Sequence, residues 1–131
     1  MTNESIDQEI QSKEKTAARV TPADIEANIA SEHYFTAEHG VSGAMASLEL
    51  HQRHADVDTA SGQLSVPANL SLLTFCVLVL RNGTKVVGVN YGAIDPARHD
   101  PEMGRTEARK AAIEQVWPLM GYELRTRLSA Q

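Results

Sequence analysis

The stretch from Leu72 to Tyr91 constrains this chain more than any other. An apolar run, Leu72-Leu73-Thr74-Phe75-Cys76-Val77-Leu78-Val79-Leu80, meets Arg81-Asn82-Gly83-Thr84, and a second apolar run follows from Lys85 to Tyr91. Asn-Gly between two β-rich runs is a strong hairpin signal, because both residues of a two-residue turn take positive φ. With Asn82-Gly83 as the whole loop, the pairs are Leu80–Lys85, Val79–Val86, Leu78–Val87, Val77–Gly88 and Cys76–Val89. One face then carries Leu78, Val87, Cys76 and Val89, with Thr74 and Tyr91 further out. The other carries Val79, Val86, Val77, Gly88 and Phe75. Both faces are apolar near the middle, and a two-stranded ribbon cannot hide both by itself.

A helix after Asp100 supplies one cover. Asp100 suits the N-cap, Pro101 the first helical position, and Glu102 the positive end of the helix dipole. Gly104, Ala108 and Ala112 recur at four-residue spacing beside Ala111, so small side chains line one face and let the helix lie close to the sheet. Gly88 removes a side chain on the opposing surface, and Ile113, Val116 and Trp117 broaden the apolar face. Pro118 is expected to end or kink this helix, with Gly121 turning the chain before a last amphipathic piece holding Tyr122, Leu124 and Leu128.

Upstream, Thr21-Pro22-Ala23-Asp24 gathers the signals of a helix start. Ile25, Ile29 and His33 follow at four-residue spacing and are expected to share one helix face, flanked by Ala30 and Tyr34. Thr36 is expected to cap a second helix through Ala44 and Met45, weakened toward His54 by Gly40 and Gly43. Residues 1–20 read as a disordered or loosely helical arm, with Ile6, Ile10 and Val20 scattered among charges. Residues 55–70 are rich in turn formers and read as a polar loop, with a short third strand at Leu64–Val66 that Pro67 stops. The expected architecture is a single α+β domain over residues 21–131. N-terminal helices precede a central antiparallel β-hairpin, which packs on a C-terminal helix with a Trp-Pro break. The second hairpin face is left to the N-terminal helix or to another copy of the chain, so a homo-oligomer is expected, a dimer foremost.

Length and charge narrow the class of function. A chain of 131 residues holds one core. The lone Cys76 cannot form an internal disulfide and reads as a small core hydrophobe in a reducing compartment. No signal peptide is visible, and no run approaches the ~18 apolar residues that cross a bilayer. The net charge of −5 is uneven: seven acids face Arg53 alone between Thr21 and Leu70, while Pro101–Gln131 is mildly basic. An acidic whole argues against a nucleic-acid binder, which needs a basic stripe to displace counterions. The acidic half suits a basic partner surface or an ordinary solvated helix face.

No motif for catalysis or for a cofactor appears. His51 and His54 are close enough to share a helix face, with Asp56 or Asp58 nearby, yet zinc needs three or four ligands and nothing completes the set. His33 and His39 flank Tyr34, Phe35 and Thr36, and read as capping, partly buried residues. Cys76 lies mid-strand without a cationic neighbour in sequence to activate it. Gly104–Ala112, following a hairpin, superficially resembles the last helix of a double-stranded-RNA-binding domain. Its basic spacing differs and a Glu replaces one expected cation, so solvated helix charge is the ordinary account. Arg105, Arg109 and Lys110, with Tyr91 and Trp117, remain as a candidate surface for a partner or a ligand, offering cations and stacking rings.

Three blocks resemble a known family: Ile25-Glu26-Ala27-Asn28-Ile29-Ala30-Ser31-Glu32-His33-Tyr34-Phe35-Thr36, Leu73-Thr74-Phe75-Cys76-Val77-Leu78-Val79-Leu80-Arg81-Asn82-Gly83 and Trp117-Pro118-Leu119-Met120-Gly121-Tyr122. The family is that of small tailed-phage proteins named after gene product forty-nine of phage N-four and gene product sixty-six of the Shigella phage Sf-six. Residues 47–70 are longer and more polar than the family's usual connection, and Val89–Ile94 departs from its Ser/Cys-containing segment. The resemblance implies a phage or prophage origin and expression in the bacterial cytoplasm, and it transfers no site residues. The expected function is a non-enzymatic accessory protein of host takeover or counter-defence that acts by binding a host macromolecule, a host protein foremost. The alternative is a small-ligand binder that sequesters a nucleotide signal of host defence.

Overall fold

The computed structural model describes residues 18–55 and 66–130. Helix α1 (Pro22–Asn28) leads into strand β1 (Ile29–Thr36) and helix α2 (Ala37–Ala55). A 3-10 turn (Ala68–Leu72) precedes β2 (Thr74–Leu80) and β3 (Lys85–Asn90), and a second such turn (Pro96–Arg98) precedes the long helix α3 (Pro101–Ser129). The three strands form one antiparallel sheet in the order β1-β2-β3. The fold is α+β.

Helix α1 starts as expected. The Thr21 side chain accepts from the Asp24 amide, and the Asp24 carboxylate accepts from the Thr21 amide. The expected helix through Ile29 and His33 does not form; β1 takes its place and is the third strand. The cause lies at the hairpin tip. Arg81 donates its backbone N–H to the Asn28 carbonyl at 3.0 Å and its side-chain Nε–H to the Ala27 carbonyl. Two carbonyls left over at the helix end are thereby satisfied. Beyond them the β-branched and aromatic residues Ile29, Tyr34, Phe35 and Thr36 suit a pleated surface. The expected strand at Leu64–Val66 lies largely outside the described residues, and Val66 is not in a strand. The arm over residues 1–20 lies outside them up to residue 17.

The hairpin exists, with a register one residue away from the expected one. Val79 pairs with Lys85, Leu78 with Val86, Val77 with Val87, Cys76 with Gly88 and Phe75 with Val89. The loop has three residues rather than two, since the Leu80 amide donates to the Thr84 carbonyl at 2.7 Å and the Gly83 amide to the Leu80 carbonyl at 2.9 Å. Gly83 takes φ +90°, and Asn82 Oδ1 accepts from the Thr84 amide at 3.0 Å, which fixes the turn from inside. A slip of one residue changes which residues of the two strands share a face. Thr74, Cys76, Leu78 and Leu80 therefore lie with Val86 and Gly88 on the face that meets α3, and all of these are buried.

Helix α3 covers that face with the expected stripe: Gly104, Ala108, Ala112 and, one turn on, Val116 are its buried residues. Asp100 caps it through the Glu102 and Met103 amides. It does not break at Pro118. The helix continues to Ser129 with the proline inside it, because Val116 before the proline and Met120 after it both pack on the core. Gly121 makes no turn, and Tyr122 and Leu128 are exposed. Ile25 of α1 joins the same core as Cys76, Leu78, Leu80, Val86 and Val116, so α1 and α3 share one side of the sheet.

The described residues leave the other side open. Phe35 stacks on Phe75 with ring centroids 5.2 Å apart, and Val77, Val79 and Val89 are half-buried, while Phe35 and Val87 are 39% and 43% exposed. Helix α2 does not close over them. Thr36 caps it as expected, accepting from the His39 amide, while the Thr36 amide donates to His39 Nδ1. The helix runs well past Met45. It packs on the Ala68–Leu72 turn and on β1, and Val41 and Leu48 remain exposed.

Candidate binding groove

Three of the five sequence-selected residues converge where α3 meets β1. Arg109 reaches from α3 across the sheet edge and grips two carboxylates. Its terminal nitrogens donate to Glu26 Oε1 at 2.9 Å and Oε2 at 2.7 Å, and its Nε donates to Glu32 Oε2 at 2.7 Å. Glu26 comes from α1 and Glu32 from β1, so one guanidinium ties three elements together in the fork geometry that arginine favours. The contact holds the Glu26 carboxyl below its usual range and raises the already high pKa of Arg109. Tyr34 donates its hydroxyl to Glu32 Oε2 at 3.3 Å. Burial, with Cys76 and Glu32 close by, pushes the Tyr34 phenol up to about 12. Cys76 itself is fully buried, and burial raises its thiol pKa, which leaves it a core residue rather than a nucleophile.

A hollow of about 470 Å³ opens beside this network, lined by Tyr34, Glu102, Arg105, Thr106, Arg109, Lys110 and Ile113. Tyr34 and Ile113 are its half-buried members, and Arg105 and Lys110 are exposed. Lys110 makes a loose contact with Glu107 at 3.3 Å, and Arg105 makes no hydrogen bond or ion pair with the described residues. The two stacking rings chosen from sequence lie elsewhere. Tyr91 follows β3, at the far edge of the sheet, and is 79% exposed. Trp117 is 38% exposed, two turns beyond Lys110 on the same side of α3.

Glu26, Glu32, Tyr34, Thr106 and Ile113 were not selected from sequence. Glu32 and Tyr34 belong to a segment whose spacing imitates a helix, and Glu26 to the short helix before it, so nothing in the sequence placed them opposite Arg109. A period-two reading of Glu32, Tyr34 and Thr36 is the signal that would have found the facing side. His39 caps α2 as expected; His33 bonds the Ser31 hydroxyl at 3.1 Å, and both imidazoles are exposed rather than partly buried. The His51–His54 pair lies outside the described side chains. Among the described residues no three His, Cys, Asp or Glu side chains cluster closely enough to hold a metal ion, and no helix is long and apolar enough to cross a membrane.

A family model described as Phage protein (N4 Gp49/phage Sf6 gene 66) family matches residues 20–128. The chain belongs to this phage protein family. The match spans α1 through nearly all of α3, so the sheet, the Arg109 clamp and the groove all fall within the matched residues. No curated protein and no solved structure matches the chain.

Proposed function

We propose that this phage protein is a non-catalytic binding protein whose α3–β1 groove receives an acidic segment of a host protein. One observation supports the reading above others: exposed Arg105 and Lys110 line the same hollow as the half-buried Tyr34 and Ile113. Arg109 is held at the base by its own carboxylates, so it stiffens the wall while Arg105 stays free for a ligand. An extended segment could lay a carboxylate against each exposed cation and an apolar side chain on Tyr34 and Ile113, combining charge steering with burial. The interleaved Glu102 and Glu107 break any continuous basic stripe along the helix start, which favours a protein over a nucleic-acid backbone.

Affinity capture from host lysate, using the full chain beside an Arg105→Glu, Lys110→Glu variant, tests this. The expected result is a host protein retained by the natural chain, released as salt rises, and lost with the variant. Identical retention by both, or none by either, would contradict it.

A second reading rests on the size of the same hollow, which falls in the range of small-ligand sites. Tyr34, in place of Tyr91, would stack a base beside the cations. A nucleotide at a hundred times its dissociation constant adds ~2.7 kcal/mol to folding, so a thermal-shift screen of linear and cyclic nucleotides decides it. A shift that the charge-reversed variant loses favours this reading; no shift with any nucleotide removes it.

A further inference from the structure

We infer that the open face of the sheet is covered by helix α2 of a second copy of this chain, reciprocally, in a two-fold dimer. Among the described residues two apolar surfaces are incompletely covered. One is the sheet face of Phe35, Phe75, Val77, Val79, Val87 and Val89. The other is the stripe on α2 formed by Val41, Met45 and Leu48, spaced by four and three residues as one side of a helix requires. Val41 is 39% and Leu48 50% exposed, with Met45 between them half-buried.

The two surfaces do not meet within one chain. Helix α2 begins at Ala37, the residue directly after β1, and the Ala37 amide donates to the Leu73 carbonyl at 2.8 Å. With no loop at this junction the helix cannot fold back across its own strands. It rests on the Ala68–Leu72 turn and the end of β1 instead.

The fit in trans is favourable in length, charge and shape. Helix α2 has 19 residues, or ~28 Å, and the longest strand has eight residues, or ~26 Å. The open face carries Lys85 and His33 and no carboxylate, while α2 brings Glu38 and Glu49. Helix on sheet is also how the opposite face is already covered. A two-fold axis makes each copy both donor and acceptor, which closes the assembly.

Site-directed cross-linking of the full chain tests the arrangement, with sedimentation equilibrium of the natural protein beside it. Leu48→Cys and Val87→Cys both change exposed side chains, and buried Cys76 gives the background in the natural chain. Each variant, carrying a different tag, is oxidised alone and after co-expression with the other. The expected result is a dimer in sedimentation and a covalent heterodimer at least ten-fold more abundant than either self-linked species. Val87→Cys linking to itself as well as in the mixture would show sheet against sheet and overturn the proposal. A natural chain that stays monomeric at about 100 µM, or a dimer without the mixed cross-link, would overturn it equally.

Discussion

Gly88 lies directly beneath Ala112: a β-carbon added at residue 88 would stand 3.0 Å from the Ala112 Cα and overlap the backbone of Ala108. The helix backbone, not a side chain, is the obstacle, so it cannot move aside alone. This contact selects the hairpin register, since only the observed pairing brings Gly88 to the helix face opposite Cys76. Gly88→Ala is expected to cost about 3 kcal/mol, at the upper end of overpacking, read as a lower urea midpoint at unchanged slope. A neutral substitution would mean that α3 does not approach this closely.

The Arg109 clamp gives stability a dependence on acid. Glu26 has a folded pKa below its unfolded value of 4.5, so its contribution is present above that pH and is lost as pH falls through the folded value. Both carboxylates are partly exposed, which limits the effect by solvent screening. Arg109→Met keeps the aliphatic stem and is expected to cost about 1 kcal/mol near neutral pH. The variant should also lose part of the decline on acidification seen in the natural chain. Equal losses at pH 7 and pH 3 would contradict this origin.

Tyr34 acts at the other end of the scale. Its phenol is pushed up to about 12 from 10.0, so the unfolded chain ionises there first and gains stability relative to the fold. The stabilisation is complete below pH 10 and is lost as pH rises through 12. Tyr34→Phe should therefore flatten the alkaline limb of the stability curve and remove the latest step of the phenolate absorbance titration. An unchanged titration would place Tyr34 in water.

Pro118 sits inside a helix anchored on both sides by Val116 and Met120. Proline costs about 3 kcal/mol relative to alanine in a helix interior, offset in part by the stiffer unfolded chain. Pro118→Ala is expected to stabilise by about 2 kcal/mol in thermal or urea unfolding. A loss of stability would mean that the proline marks a real break.

The elements written in local chemistry were legible in the sequence. Asp100-Pro101, Thr21-Pro22 and the Gly104-Ala108-Ala112 stripe each carry their own cause within a few residues. What escaped depends on partners far along the chain. Ile25, Ile29 and His33 fit a helix by spacing, and only Arg81, bonding Ala27 and Asn28 from the hairpin tip, stops it. Asn82-Gly83 fits a two-residue loop equally well until Gly88 must face α3. The groove was half legible for the same reason. Its cations and Glu26 lie on helices that were recognised, and Glu32 and Tyr34 lie on a strand that was not.

Binding of acidic chain in the groove is tested by amide chemical shifts of the isotope-labelled protein, followed while an extended Glu-rich peptide containing leucine is titrated in. The expected result is saturable shifts grouped at Glu102–Ile113 and around Tyr34, weakened by salt and absent from the Arg105→Glu, Lys110→Glu variant. Shifts confined to the Tyr91 edge, or scattered without saturation over both faces, would contradict it.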